Sequence, residues 1–550
     1  MSLRVASRPS RNICKACRSS IRPHKRRRFG TDSITSNPKS EDIYDVITVG
    51  GGPVGLAILA ALKSSPSTSH LKCALIESQD LSKQQQWGPK PYDDYSNRAS
   101  SITPTNQAFL ESIGAWRHLD LGRVQPYDEM QVWDAGNASS IQFDWSAEAK
   151  KYNAPLRTVA TMVENVNLSR ALLRRVEETN AKDDLIGASS VKRIANGIDE
   201  EGGMNMSTWP IVEVQSGNET RQITARLLIG ADGINSPVRT FAWIGTNGWD
   251  YGRHGVVATL EVESQDESPF GSTPSPSPSE EFDAVLADFV SDKSSLSPST
   301  SERQPDYIMP SNRATAYQRF LPSLGGPIAI LPLPNNRASL VWSTTPQVAA
   351  HLKSLSPSAF VATVNAALRL EEVDIKYMLS LPSVASDEHG TELKWRLQHS
   401  KASMPSRRPP RVLDVQSGTV ASFPLRLRNA TSYICPRIAL AGDAAHTIHP
   451  LAGQGLNLGL SDAAALANTI SYAVEHGQDI GDLMTLEGYS RARYGKAVEM
   501  GSGVDVLNRL YQMGSGGGLV GSLLGKARGL GMWAVGAVPG IREGIMRRAE

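Results

Sequence analysis

The chain has 550 residues, a formal net charge of +2, 40% hydrophobic and 20% charged residues, and four cysteines. That is an ordinary globular balance, with enough chain for a large core and more than one structural unit. It argues against a disulfide framework, and with no apolar run of about 18 residues it predicts no membrane-spanning helix. The first 31 residues contain no Asp or Glu. They carry ten cations: Arg4, Arg8, Arg11, Lys15, Arg18, Arg22, Lys25, Arg26, Arg27 and Arg28. Serines are plentiful there and no apolar stretch interrupts them. This predicts a mitochondrial transit peptide and linker over residues 1–40, cleaved near Arg28-Phe29; the competing reading is a basic nucleic-acid arm. Removing residues 1–28 takes away ten cations and no anions, so +2 becomes −8. The nominal basicity therefore says nothing about the mature protein's partners, and no nucleic-acid partner is expected. Cys14 and Cys17 form a C-x-x-C pair, but no second pair completes a zinc site, and no metal is expected.

The first nucleotide signal follows the short β-branched run Val46-Ile47-Thr48-Val49, which reads as a buried parallel strand. Gly50, Gly52 and Gly55 match G-x-G-x-x-G, with Pro53 inside the loop. The first glycine permits the tight turn, the second lets a pyrophosphate approach, and the third lets the next helix pack on the strand. Leu56–Lys63 reads as that helix, its N-terminal amides facing phosphate. A second run, Cys73–Ile76, ends in Glu77, where a carboxylate can accept hydrogen bonds from an adenosine ribose. Further on, Gly230-Ala231-Asp232-Gly233-Ile234-Asn235-Ser236 ends in Arg239.

Residues 256–262, 314–321, 328–333, 338–344 and 420–427 read as antiparallel strands of a substrate-covering sheet. Residues 267–307 interrupt them with Ser-Pro repeats, a composition that predicts a disordered insertion. Residues 401–412 read as a basic exposed loop. The third nucleotide signal is Leu440-Ala441-Gly442-Asp443-Ala444-Ala445-His446 at the end of the strand Ile438–Ala441. It continues to Pro450 and Gly453-Gln454-Gly455. Asp443 can bond a ribityl hydroxyl. From Gly455, apolar residues recur at helical spacing, so the helix can turn its positive end to an anionic ring. Residues 514–540 mix glycine, leucine, valine and Trp533. They read either as a surface element resting on a membrane or as a tail packed on the enzyme.

These motifs resemble the FAD-dependent aromatic hydroxylases of the p-hydroxybenzoate hydroxylase type. Gly442–His446 with Pro450 and Gly453–Asn457 carries the resemblance, as does Gly230–Gly233 with Ser236 and Arg239. The match is best to the mitochondrial ubiquinone-biosynthesis branch, on Asn97–Thr103, Ala316–Pro322 and Gly326–Leu333. That branch usually has Trp where Tyr317 stands.

The resemblance implies an α/β fold: a Rossmann-type FAD-binding domain, an interleaved antiparallel-sheet substrate domain and a helical C-terminal region. FAD-binding segments are expected at 41–125, 161–250 and 431–475. Substrate-domain strands are expected at 126–160, the sheet domain at 251–430 and the helical region at 476–550. FAD contacts are implied from Gly50, Gly52, Pro53, Gly55, Glu77, Arg98, Arg170, Asp232, Gly233, Gly442, Asp443, Gly455, Leu456 and Asn457. Pro450, Gly453, Gln454 and Gly455 would shape the wall where oxygen reacts. His446 tempts as a base, but at this family position it usually lines the flavin loop. No acid–base dyad is needed.

The implied reaction delivers one atom of dioxygen to the ring of a polyprenylated phenol, at position 5 in this family. The implied electron donor is ferredoxin with its reductase, alternatively NADPH, and Arg407, Arg408 and Arg411 form one candidate basic dock. Complex subunits of ubiquinone biosynthesis and peripheral contact with the matrix side of the inner membrane are the other expected partners. Two other readings stay open: an NADPH-dependent hydroxylase of a soluble aromatic acid, and a flavin-binding scaffold without turnover. A prenyl tail needs an apolar tunnel, whereas a free acid needs a cation.

Overall fold

The computed structural model describes residues 39–89, 94–135, 139–144, 158–199, 205–264, 314–382, 386–399, 407–448 and 453–513. Residues 1–38 of the predicted transit segment and linker, the Ser-Pro insertion, Pro450 and the glycine-rich tail lie outside the described residues. No described helix is long and apolar enough to cross a membrane.

Strand Ile43–Val49 lies at the centre of an eight-stranded sheet. It pairs in parallel with Cys73–Ile76 on one side and with Glu219–Gly230 on the other. Glu219–Gly230 pairs in parallel with Ile438–Leu440. The register sets Val49 opposite Ile76 and Gly230, and Gly230 opposite Leu440. Four strands from distant parts of the chain therefore end on one edge. Ligands of open parallel sheets bind beyond that edge.

Helix Pro53–Ser64 follows the first strand. It starts three residues earlier than the apolar pattern suggests. Gly52 is its N-cap and Pro53 its first residue, where a fixed φ suits the opening turn. Gly55 through Leu62 are all buried. The sheet lies under one side, and helices Asn165–Glu178 and Gln454–Glu475 pack on the helix. The crossing with Gln454–Glu475 is close because position 459 is glycine; a Cβ there would sit 2.6 Å from Val54 Cγ2.

A second sheet has nine strands. Along it run His446–Thr447, Ala421–Ala430, Thr246–Val262, Arg337–Thr344, Gly326–Leu333, Thr315–Leu321, Glu129–Asp134 and Ser140–Asp144, with Val412–Val415 also pairing Thr246–Val262. Every strand expected there is present. The sheet is nonetheless mixed, because Thr315–Leu321 pairs in parallel with Glu129–Asp134. The chain contributes those strands on two separate passes, so no hairpin joins them.

Alternation divides this sheet into two faces. Val256, Ala258, Ile328, Ile330, Leu340 and Trp342 are buried in one core with residues of helices Pro346–Ser354, Pro357–Arg369 and Glu372–Met378. Each large aliphatic side chain fully withdrawn from water there contributes about 1.5–3 kcal/mol. Helix Ser386–His399 packs on Pro357–Arg369. The strand reading of 251–430 did not announce these helices. Their signal was Thr345-Pro346 and Ser356-Pro357: each hydroxyl caps its helix, accepting from Val348 N and Ala359 N at 3.3 Å. The opposite face of the sheet looks towards the nucleotide edge.

Candidate functional site

One cavity of about 1370 Å³ spans the nucleotide edge and the free face of the nine-stranded sheet. A single bound ligand typically occupies about 300–1,000 Å³, so there is room for a dinucleotide and a second molecule. The cavity is lined by Gly50, Gly52, Pro53, Glu77, Arg98, Asp232, Gly233, Gly442, Asp443, Gly453, Gln454, Gly455 and Leu456. Three stretches spread over about four hundred residues thus meet.

The meeting is enforced by hydrogen bonds between motifs. Glu77 Oε2 accepts from Gly51 N at 2.6 Å, and Oε1 accepts from Gln79 N at 2.7 Å. Arg239 fastens the second motif to the third, donating to Ile234 O at 2.6 Å and to Ala444 O at 2.7 Å. Ser236 caps the short helix Pro237–Phe241, accepting from Arg239 N at 2.9 Å. Burial pushes the Asp232 carboxyl up; its Oδ2 accepts from Val238 N at 3.3 Å, while its buried Oδ1 has no partner. Asp443 lines the cavity, where desolvation pushes its carboxyl up.

These residues fit FAD. A Cβ built at Gly52, Gly233 or Gly455 meets nothing within 4 Å, so the space before each backbone is free. Helices Pro53–Ser64 and Gln454–Glu475 both begin at the cavity with a glycine N-cap and no side-chain cap. Their first amides and positive poles are available to anionic groups. The unpartnered Asp232 oxygen is an acceptor awaiting a donor.

Three expected contacts lie elsewhere. Gly55 does not line the cavity; a Cβ there would be 1.9 Å from Gly50 O, so it serves the packing of helix on loop. Arg170 is corrected: it is buried in helix Asn165–Glu178, donates to Trp87 O and His118 O at 3.3 Å, and stacks over Trp87. Asn457 is also corrected. Buried one turn into its helix, it accepts from Thr103 N at 3.0 Å and donates to Ser101 O at 2.7 Å. It joins the helix to the strand Ala99–Ile102, whose Ser101 lines the cavity.

His446 is likewise turned away from the cavity. It is buried, with Nε2 2.5 Å from Asp462 Oδ2. Asp462 also accepts from Gly442 N at 3.0 Å and from Arg493 Nε at 2.7 Å. Burial alone would raise the Asp462 carboxyl, but His446 and Arg493 hold it below its usual range. This network ties the third motif to two helices. Sequence reasoning missed it because Asp462 and Arg493 sit at no recognisable spacing from His446. A second missed group is the buried pair Arg123 Nε to Glu164 Oε2 at 2.7 Å. Glu164 Oε1 also accepts from Ser96 N at 2.7 Å, steadying the loop that brings Asn97 and Arg98 to the cavity.

The comparisons with known proteins agree with this site. Residues 355–501 match the FAD binding domain family. The chain is 36% identical over 476 residues to the mitochondrial ubiquinone biosynthesis monooxygenase COQ6 of Schizosaccharomyces pombe, covering 86% of this chain and 85% of the relative. To the Saccharomyces cerevisiae protein of the same name it is 33% identical, covering 87% and 88%. Among solved structures, p-nitrophenol 4-monooxygenase PnpA from Pseudomonas putida shares the fold, with a TM-score of 0.56, 15% identity and coverage of 92% and 98%. With such identity over most of both chains, and with cradles that fit the dinucleotide, the chain belongs to the COQ6 family of FAD-dependent ubiquinone biosynthesis monooxygenases.

Proposed function

We propose that this enzyme hydroxylates the aromatic ring of a polyprenylated phenol in ubiquinone biosynthesis, at ring position 5. The observation that carries this reading is the character of the cavity's sheet wall. Met130, Phe143, Val257, Ala329, Leu331 and Val341 line it. Among the described sheet residues on that wall the single cation is Arg426, and Asp250 engages it at 3.2 Å. An apolar wall suits a prenylated ring, and its described sheet residues offer a free carboxylate no unengaged cation.

Bound FAD supplies the redox chemistry that places one atom of dioxygen on the ring and releases the other as water. The chain's residues do the rest. Gly52 and the first amides of Pro53–Ser64 would hold the pyrophosphate, Glu77 the adenosine ribose, and Asp443 the ribityl chain. The start of helix Gln454–Glu475 would offer its positive pole to negative charge on the bound cofactor. The sheet wall orients the phenol and keeps water away.

The donor in this reading is reduced ferredoxin with its reductase, supported by the lack of a second glycine-rich nucleotide unit in the sequence. The enzyme works in the mitochondrion, on the matrix face of the inner membrane, among other subunits of the pathway. The test is turnover of purified holoenzyme with reduced ferredoxin, dioxygen and 2-geranylphenol, followed by mass spectrometry. A product heavier by one oxygen atom is expected. Hydroxylation of a soluble aromatic acid in place of the prenylated phenol would overturn the substrate class.

A further inference from the structure

Among the described residues of the sheet wall, one side-chain amide is left without a protein partner. Gln318, on strand Thr315–Leu321, is 7% exposed and lines the cavity. Cross-strand pairing puts it at the end of a single row. Gln318 is opposite Ala329, Ala329 opposite Val341, Val341 opposite Val257, and Val257 opposite Ala421. All five residues line the cavity, and the other four are apolar. Alternation sends the neighbours of Gln318 the opposite way. Tyr317 joins the core beneath the helices, and Arg319 donates to Ala367 O at 2.9 Å.

A carboxamide has two donor hydrogens and an acceptor oxygen. That of Gln318 has no hydrogen-bond partner among the described residues. Asn97, the cavity's other side-chain amide near this wall, is already engaged, donating to Thr419 O at 2.6 Å. Ser339 and Ser343 flank the row on Arg337–Thr344, and the buried Ser343 Oγ also has no partner. Ser343 Oγ lies beneath Gly326, where a Cβ would come within 2.6 Å of it. The amide of Gln318 opens into the cavity and not onto a protein partner, so whatever occupies the cavity beside the apolar row meets its donors and its acceptor.

We propose that Gln318 is the residue that recognises the ring hydroxyl, hydrogen-bonding it and so fixing which ring carbon faces the oxygen-transfer site. The proposal rests on the prenylated-phenol reading above. A phenol hydroxyl can accept from the amide N–H and donate to the amide oxygen. A methyl ether in its place cannot donate, and its methyl group keeps the amide at a distance.

The experiment compares binding of 2-geranylphenol and its methyl ether to FAD-loaded enzyme, read from the flavin absorbance. Wild type should prefer the phenol by about five- to tenfold, the range of one hydrogen bond. Gln318→Leu should bind both ligands alike, with FAD content unchanged. Gln318→Met, closer in volume, should give the same result if the leucine variant fails to fold. A merely structural role would weaken both ligands together. Preference for the phenol surviving in the variants would overturn the assignment of Gln318 while leaving the substrate class standing. Binding of neither ligand by wild type would overturn both.

Discussion

Gly52 and Gly55 stand three residues apart in one motif and act differently. Gly52 has φ −71°, which any residue adopts, and open space before it. Gly52→Val should therefore leave a folded protein that purifies without FAD, because the new side chain occupies the pyrophosphate's space. Full flavin absorbance in that variant would sink the assignment of the loop. Gly55→Ala should fail earlier, since the added carbon falls 1.9 Å from Gly50 O and the backbone must move. A loss of about 1–3 kcal/mol or more is expected in urea unfolding. The buried Asp462 makes a second prediction. Asp462→Asn leaves Arg493 without its counter-charge and should cost about 3–5 kcal/mol at neutral pH. The folded carboxyl of Asp462 lies below its ordinary value. Its contribution is thus complete above the unfolded value of about 3.9 and lost as pH falls through the folded one. The gap between wild type and variant should be widest above about pH 4 and narrow in stronger acid. Urea midpoints at several pH values check it, and a gap independent of pH would exclude a role for the ionised carboxylate.

At the scale of elements, the basic stretch before strand Val412–Val415 divides into two roles. Arg407 donates to Glu129 Oε2 at 2.9 Å. Glu129 is buried on Glu129–Asp134 and also accepts from Gln142 Nε2 at 2.8 Å and Thr315 Oγ1 at 3.0 Å. Arg407 therefore anchors the segment to the sheet and drops out of the proposed dock. Arg408 and Arg411 remain exposed. Reversing only those two, Arg408→Glu with Arg411→Glu, should slow anaerobic flavin reduction by ferredoxin about tenfold at low salt, and less at high salt. An unchanged rate would remove this surface from consideration. Arg407→Glu is expected to destabilise the fold instead, because it sets a second carboxylate against a buried one.

For the whole molecule, the Ser-Pro insertion separates strands Thr246–Val262 and Thr315–Leu321, which are not partners. The first is held by Arg337–Thr344 and Ala421–Ala430, the second by Gly326–Leu333 and Glu129–Asp134. Neither register depends on the connection between them. Deleting residues 270–305 should leave FAD content unchanged and move the thermal midpoint by less than about 2 °C. A fall of many degrees in calorimetry would show that the segment packs against the enzyme.

The nucleotide motifs were legible because each is local: a β-branched strand, a glycine turn and a helix start are adjacent in the chain, and Glu77 ends the next strand. The strands of the second sheet were legible for the same reason, through alternation. Alternation gives parity but not direction, so among Tyr317, Gln318 and Arg319 only the helices packed on one face decided that Gln318 turns to the cavity. Those helices were themselves overlooked, because their caps are two-residue signals inside a run of strands. Arg170 and Asn457 look like ligands in a motif, yet each is spent on backbone groups of distant segments. His446 is spent too, on the carboxylate of Asp462, 16 residues further along, which in turn accepts from Arg493, a further 31 residues on. Which polar residue faces the ligand and which one holds the fold depends on the groups that surround it, and only the packed chain supplies them.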